Sequence, residues 1–264
     1  MSGTVRPAAV AGSFYPAHPI SLRSSVRRML DDAVDVRPDL DVHALIVPHA
    51  GHVYSGPVAA SAYRLLRESA RPPDRIGLIG PSHFASFEGV ALPGHDSVAT
   101  PLGSISVDPV AADLVARHLA FRSEAAHRTE HSLEVQLPFL QVILSGFTVV
   151  PILTGGDDPS AALQVIDAML EAGLFMVVSS DLSHYHDLDT ARRLDAITAR
   201  SILALRPDDL GRESACGRTA MRAMLAVARR SDWRCAQLDL RTSGDTAGSH
   251  DRVVGYGAFA LGPS

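Results

Sequence analysis

Histidines and carboxylates in this chain fall where apolar runs stop. "LIVPHAGH" ends at His49, "GLIGPSHF" at His83, "VVSSDLSHYHD" at Asp181, His184 and His186, and "LRTSGDTAG" at Ser243 and Asp245. His131 and Glu134 open the amphipathic stretch "EHSLEVQLP" and can reach the same rim. A mixture of imidazole and carboxylate suits iron, zinc, copper or nickel better than magnesium or calcium. Two histidines with one carboxylate form the set by which non-haem Fe(II) oxygenases hold their metal, leaving positions open for dioxygen and substrate. A further histidine nearby can serve as general acid or base, because its pKa lies near neutral pH.

Each residue also has a plainer reading. A histidine after a strand can be a surface or capping residue, and "SSD" at 179–181 can be a helix cap. Asp181 is either a ligand or the group that holds a histidine in its tautomer. His186 reads as a supporting or solvent-facing neighbour of His184. His18, His43, His52, His95, His118, His127 and His250 are given no site role. Cys216 lies near a helix start, where the dipole would favour a thiolate, but reads as a small buried residue beside Gly217. The glycines of "LTGGDD" and "RTSGDTAG" match neither dinucleotide nor P-loop spacing. Ser82 adjoins His83, but sequence neighbours do not make a triad.

Such residues need a frame that brings them together. Short apolar runs alternate with amphipathic stretches. Strands are expected at 42–48, 75–81, 87–94, 103–108, 147–155, 174–181, 233–245 and 251–261. Helices are expected at 56–70, 108–119, 130–144 with a kink or late start at Pro138, 158–173, 188–205 and 213–230. The pattern predicts a single α/β domain over 1–264, with a mainly parallel or mixed central sheet covered by helices on both faces. In such sheets ligands sit beyond the carboxyl ends of the strands, so the four strand ends are expected to share one crevice.

The 264 residues suffice for a core that needs no staple. Net charge is −5 and the charged residues are intermixed, which gives no electrostatic case for nucleic acid or an anionic membrane. The two cysteines, Cys216 and Cys235, form no CxxC, and a reducing compartment is the simpler expectation. The N-terminal stretch has no charged region followed by an apolar core, and no apolar run is long enough to span a bilayer. A cytoplasmic protein without membrane partners is expected.

Seven segments, in order along the chain, carry a resemblance. "AGSFYPAHP" (11–19), "VPHAGHVYSG" (47–56), "IGPSHF" (79–84), "TEHSLEVQLPFL" (129–140), "SSDLSHY" (179–185), "ACGR" (215–218) and "TSGD" followed by "VVGYGAFAL" are similar to the Memo family. The resemblance implies a fold like that of the LigB-type class III extradiol dioxygenases, which are non-haem iron enzymes. By it, His49 and His83 match the two metal-binding histidines, His184 the pocket histidine where the dioxygenases keep their acid/base, and His131 another pocket histidine. Animal members place a cysteine as third ligand after the penultimate strand. The corresponding "TSGDTAG" has none, which makes Asp245 the candidate third ligand and iron the expected metal, with copper or zinc as alternatives. Tyr54, five residues after His49, is expected to line the pocket, and Tyr15 less directly so.

Three functions follow as expectations. The first is an Fe(II)-dependent oxygenase or redox enzyme acting on an unnamed small molecule, with His184, His131 and Tyr54 as catalytic candidates. The second is a binding or scaffold protein that takes a peptide or partner in the same pocket. This follows from animal relatives that recognise phosphotyrosine peptides, and from radical-SAM and AMMECR-type proteins often encoded beside bacterial and archaeal members. The third is a zinc-dependent hydrolase with a metal-activated water.

Overall fold

β-branched and small apolar residues build four short strands that lie side by side and parallel at the centre of the molecule. The computed structural model describes residues 3–264. The chain runs β1 (Val5–Arg6), α1 (Pro19–Asp31), β2 (Ala44–Val47), α2 (His52–Arg67), β3 (Arg75–Pro81), β4 (Gly89–Leu92), β5 (Ser97–Thr100) and β6 (Gly103–Ser106). It continues through α3 (Val110–Ala116), β7 (Phe121–Arg122), α4 (Glu124–His127), α5 (Leu137–Ile143), β8 (Thr148–Gly155), α6 (Ser160–Glu171) and β9 (Phe175–Ser179). The last elements are β10 (His184–His186), α7 (Leu188–Leu203), α8 (Arg218–Arg230), β11 (Arg234–Thr242), α9 (Ser243–Thr246) and β12 (Val253–Gly262).

The main sheet has the order β10-β12-β2-β9-β3-β8-β4-β7, with β11 also paired to β12. β2, β9, β3 and β8 are parallel neighbours. β12 runs antiparallel to β2, and β4 antiparallel to β8. β1, β5 and β6 form a separate small sheet. The architecture is the expected α/β fold with a mixed, mainly parallel centre, consistent with a LigB-like fold.

Successive strand residues point to opposite faces, and the core divides accordingly. Leu45, Val47, Leu78 and Val177 pack with Leu22, Val26 and Leu30 of α1, with α2 and with Phe139 of α5. Ala44, Ile46, Ile79 and Val178 pack with Val165 of α6, Ile202 of α7 and Met221, Met224 and Leu225 of α8. The sheet is therefore a filled middle layer, and only its strand ends are open to carry polar chemistry.

Several boundaries differ from expectation for local reasons. α2 begins at His52, earlier than the Gly56-Pro57 pair suggested, and takes Pro57 into its body. The segment 130–144 starts late: a 3₁₀ turn at Glu134–Gln136 leads into α5, and Pro138 occupies the second helical position, where no backbone donor is lost. α3 starts at Val110, whose N–H is accepted by Asp108 Oδ1. The helix expected from 213 starts at Arg218, after a turn containing Cys216. α1 lies in a stretch for which no element was expected.

Candidate metal centre

β2, β9 and β3 are adjacent and parallel, so their carboxyl ends open onto one place. His49 follows β2 after Pro48, Asp181 lies just past β9, and His83 follows β3 after Ser82. His131 arrives from the turn before α5. His49, His83 and His131 each offer a ring nitrogen, and these atoms lie within 4.8 Å of one another. His83 and His131 stack at 4.6 Å and 23° between rings, and His49 stands edge-on to both. A cavity of about 540 Å³ opens beside the three rings, with Phe14, His184, Tyr185, Asp181 and Cys216 among its lining residues.

His49 is 2 % exposed. Burial, together with the His83 and His131 rings, holds its pKa well below the usual histidine value. His131 is brought down to about 4, by burial first and then by the neighbouring His83. Both rings are thus neutral at pH 7, the form that ligates a metal. His131 Nδ1 is buried without a hydrogen-bond partner, 3.4 Å from Glu130 Oε1.

Of the supporting groups, Glu130, Ser179 and Asp181 are buried and Cys216 is half-buried. Glu130 accepts from the backbone N–H of His83 at 2.6 Å and lies 2.9 Å from His83 Nδ1. It also accepts the N–H groups of His131 and Ser132, both at 2.9 Å. Burial opposes ionisation of Glu130, but the His83 side chain and these N–H groups outweigh it and bring the pKa to about 2. Ser179 Oγ lies 3.0 Å from His49 Nδ1. Cys216 Sγ lies 3.2 Å from His49 Nε2, and burial, with Asp181 nearby, pushes its thiol pKa up. Asp181 accepts the His49 backbone N–H at 2.7 Å, and burial raises it to about 7 against that bond. Its role is to hold the His49 turn by the main chain.

The expected residues divide. His49, His83, His131 and His184 come together at the cavity, with His184 held below the usual histidine pKa chiefly by burial. Asp245 is not brought among them. Its Oδ2 accepts from the N–H and hydroxyl of Thr242, both at 2.8 Å, capping α9, and its Oδ1 pairs with Arg192 at 2.5 Å. Burial raises its pKa, but the Thr242 bonds and Arg192 outweigh this and hold it low. Tyr54 stands in the first turn of α2, 41 % exposed, and does not line the cavity. Tyr15 is buried and donates its hydroxyl to Glu134 at 2.6 Å. Glu134 turns away from the rim toward Arg6. His52 is buried, with Nε2 against the Val135 carbonyl at 2.8 Å.

Sequence reasoning weighed Cys216 as a thiolate but took it for a small buried residue, and it passed over Glu130 and Ser179. Glu130 adjoins His131, and that pairing was the one available signal. Cys216 becomes a neighbour of His49 only because α8 starts beneath the end of β9. There Gly217 is forced: a Cβ would lie 2.7 Å from the Ser179 carbonyl.

Three imidazoles with a thiol beside them fit a transition-metal ion, and among the described residues this is the group that could hold one. Comparison with known proteins bears on the whole chain. Residues 6–260 match the family described as "Memo-like protein". A MEMO1 family protein of Archaeoglobus fulgidus is 34% identical, covering 96% of this chain and 97% of the relative. One of Methanosarcina acetivorans is 36% identical over 97% of this chain and 99% of the relative. One of Nitrosopumilus maritimus is 32% identical over 97% and 98%. The chain belongs to the Memo family.

Proposed function

We propose that this Memo-family chain binds a divalent transition-metal ion through His49, His83 and His131. We further propose that it uses the ion, Fe(II), in oxidative chemistry on a small molecule held in the adjoining cavity. The observation that carries the metal reading is the approach of three ring nitrogens to within 4.8 Å of one another. Iron is supported by the likeness of the fold to that of iron-dependent dioxygenases.

A bound iron would supply an open coordination position for redox chemistry. The protein's own contributions lie around it. Phe14 and Tyr185 wall the cavity with aromatic surface. His184, neutral near pH 7 because of its burial, can take a proton from the substrate at a ring nitrogen. Cys216 places a soft sulfur 3.2 Å from His49 Nε2.

A zinc-dependent hydrolytic reading has its own support: three histidines without a carboxylate are a known ligand set for catalytic zinc. Elemental analysis of freshly purified protein separates the two. Stoichiometric iron, lost in a His49→Ala/His83→Ala double variant, is the expected result. Stoichiometric zinc would replace oxidation with hydrolysis. Neither metal, even after reconstitution, would overturn the metal reading in favour of a pocket that binds a peptide or partner.

A further inference from the structure

We propose that Ser179 and Glu130 are tautomer-setting residues, which hold neutral His49 and His83 with the proton on Nδ1 and the lone pair on Nε2 before any ion arrives. The inference rests on the metal-binding reading for its purpose, but its evidence is a count of protons.

A serine hydroxyl has one proton and two lone pairs. Ser179 Oγ lies 2.6 Å from the Ser132 carbonyl oxygen, which can only accept, so the single proton points there. Gln136 Nε2, at 2.9 Å, donates into one lone pair. The orientation of that amide is fixed from elsewhere. Its Nε2 also faces the Pro48 carbonyl at 2.9 Å, and its Oε1 accepts from the Tyr63 hydroxyl at 3.0 Å. His49 Nδ1, at 3.0 Å, meets the remaining lone pair and must bring a proton to it. Ser179, Gln136 and Tyr63 are fully buried, so no solvent molecule competes for these positions. The neutral His49 then has its lone pair on Nε2, the atom beside Cys216 Sγ.

Glu130 settles His83 by the same logic. Its side chain is 1 % exposed and four donors converge on it. An ionised carboxylate only accepts, so in the neutral ring of His83 the proton sits on Nδ1 and the lone pair on Nε2. Residues from β9 and from the turn before α5 thus orient ligands carried by β2 and β3. A ring in the opposite tautomer would present N–H to an incoming cation. The site avoids that cost because its hydrogen bonds are made in advance.

The test is the nitrogen-15 spectrum of the histidine rings in metal-free protein at pH 8, with peaks assigned by their loss in His49→Gln and His83→Gln. Zinc affinity, by competition with a chelator, and thermal midpoint are measured on the same samples. The expected wild-type spectrum shows His49 and His83 protonated at Nδ1 alone. Ser179→Ala should move His49 into a mixture of tautomers, leave His83 unchanged and weaken zinc about 10- to 100-fold. Glu130→Gln, which removes the charge and one acceptor, should weaken zinc by a similar factor. A wild-type His49 or His83 protonated at Nε2 overturns the inference, and that readout needs no variant to fold. Unchanged His49 tautomer and unchanged zinc affinity in Ser179→Ala also overturn it. Rings in the assigned tautomers in a protein that takes up no zinc would support the inference while sinking the metal reading.

Discussion

A buried imidazole resists its second proton, and the resistance is a stability term. Burial lowers His52 from 6.5 to about 4, against the Val135 carbonyl. The unfolded chain takes that proton first as pH falls, so the contribution is complete above about pH 6.5 and is lost on the way to pH 4. The loss can reach about 3 kcal/mol at 1.36 kcal/mol per pKa unit. Asp181 works in the opposite sense: raised to about 7, it binds its proton in the folded state and stabilises on acidification. Urea unfolding of the metal-free protein between pH 4 and 7 should show His52→Gln losing less stability on acidification than the parent. Asp245→Ala is expected to leave metal content unchanged and to cost about 1 kcal/mol as a lost helix cap, read by elemental analysis and urea midpoint. Residue types at strand ends made His49, His83 and His184 legible in the sequence, and the opening of the amphipathic stretch after Glu130 did so for His131. Asp245 shared that signature, yet its carboxylate is consumed by Thr242 and Arg192. Cys216 carried no such mark, because its neighbour in space is His49, far away along the chain.

Elements position these residues, and one buried ion pair ties the first of them down. Glu134, in the turn before α5, accepts from Arg6 at 2.6 Å and from the N–H groups of Ala9 and Val10. The Arg6 and Glu134 side chains are 5 % and 0 % exposed. Removing one partner leaves an uncompensated buried charge, so Glu134→Ala should lower stability by about 3–5 kcal/mol in denaturant unfolding. The same pair anchors the segment bearing Phe14, whose ring lies 4.6 Å from that of His131. The variant should therefore also weaken metal uptake. Most core strands and helices were legible, because period-2 and period-3.6 patterns report burial directly. Leu22, Val26 and Leu30 of α1 stand four apart, a helical signal present among the intervening arginines and overlooked. The short strands β7 and β10 had no pattern to read: they exist through their partners β4 and β12.

At the scale of the molecule, the site is a product of assembly. His49, His83 and His131 come from separate elements, so an unfolded chain holds no ready chelate. A metal that binds only the folded state stabilises it by RT ln(1 + [L]/Kd), about 2.7 kcal/mol at a hundredfold excess over Kd. The thermal midpoint should rise with added metal, fall with a chelator, and respond to neither in the His49→Ala/His83→Ala variant. Among the described residues no helix is long and apolar enough to cross a membrane. The antiparallel pairing of β12 with β2 has a consequence for synthesis. Phe259, Ala260 and Leu261 pair with Ile46, Leu45 and Ala44, so the strand that presents His49 gains its outer neighbour only after nearly the whole described chain has been made. On the ribosome, β2 waits with one edge bare. Long-range pairings of this kind are slow and expose the chain to aggregation.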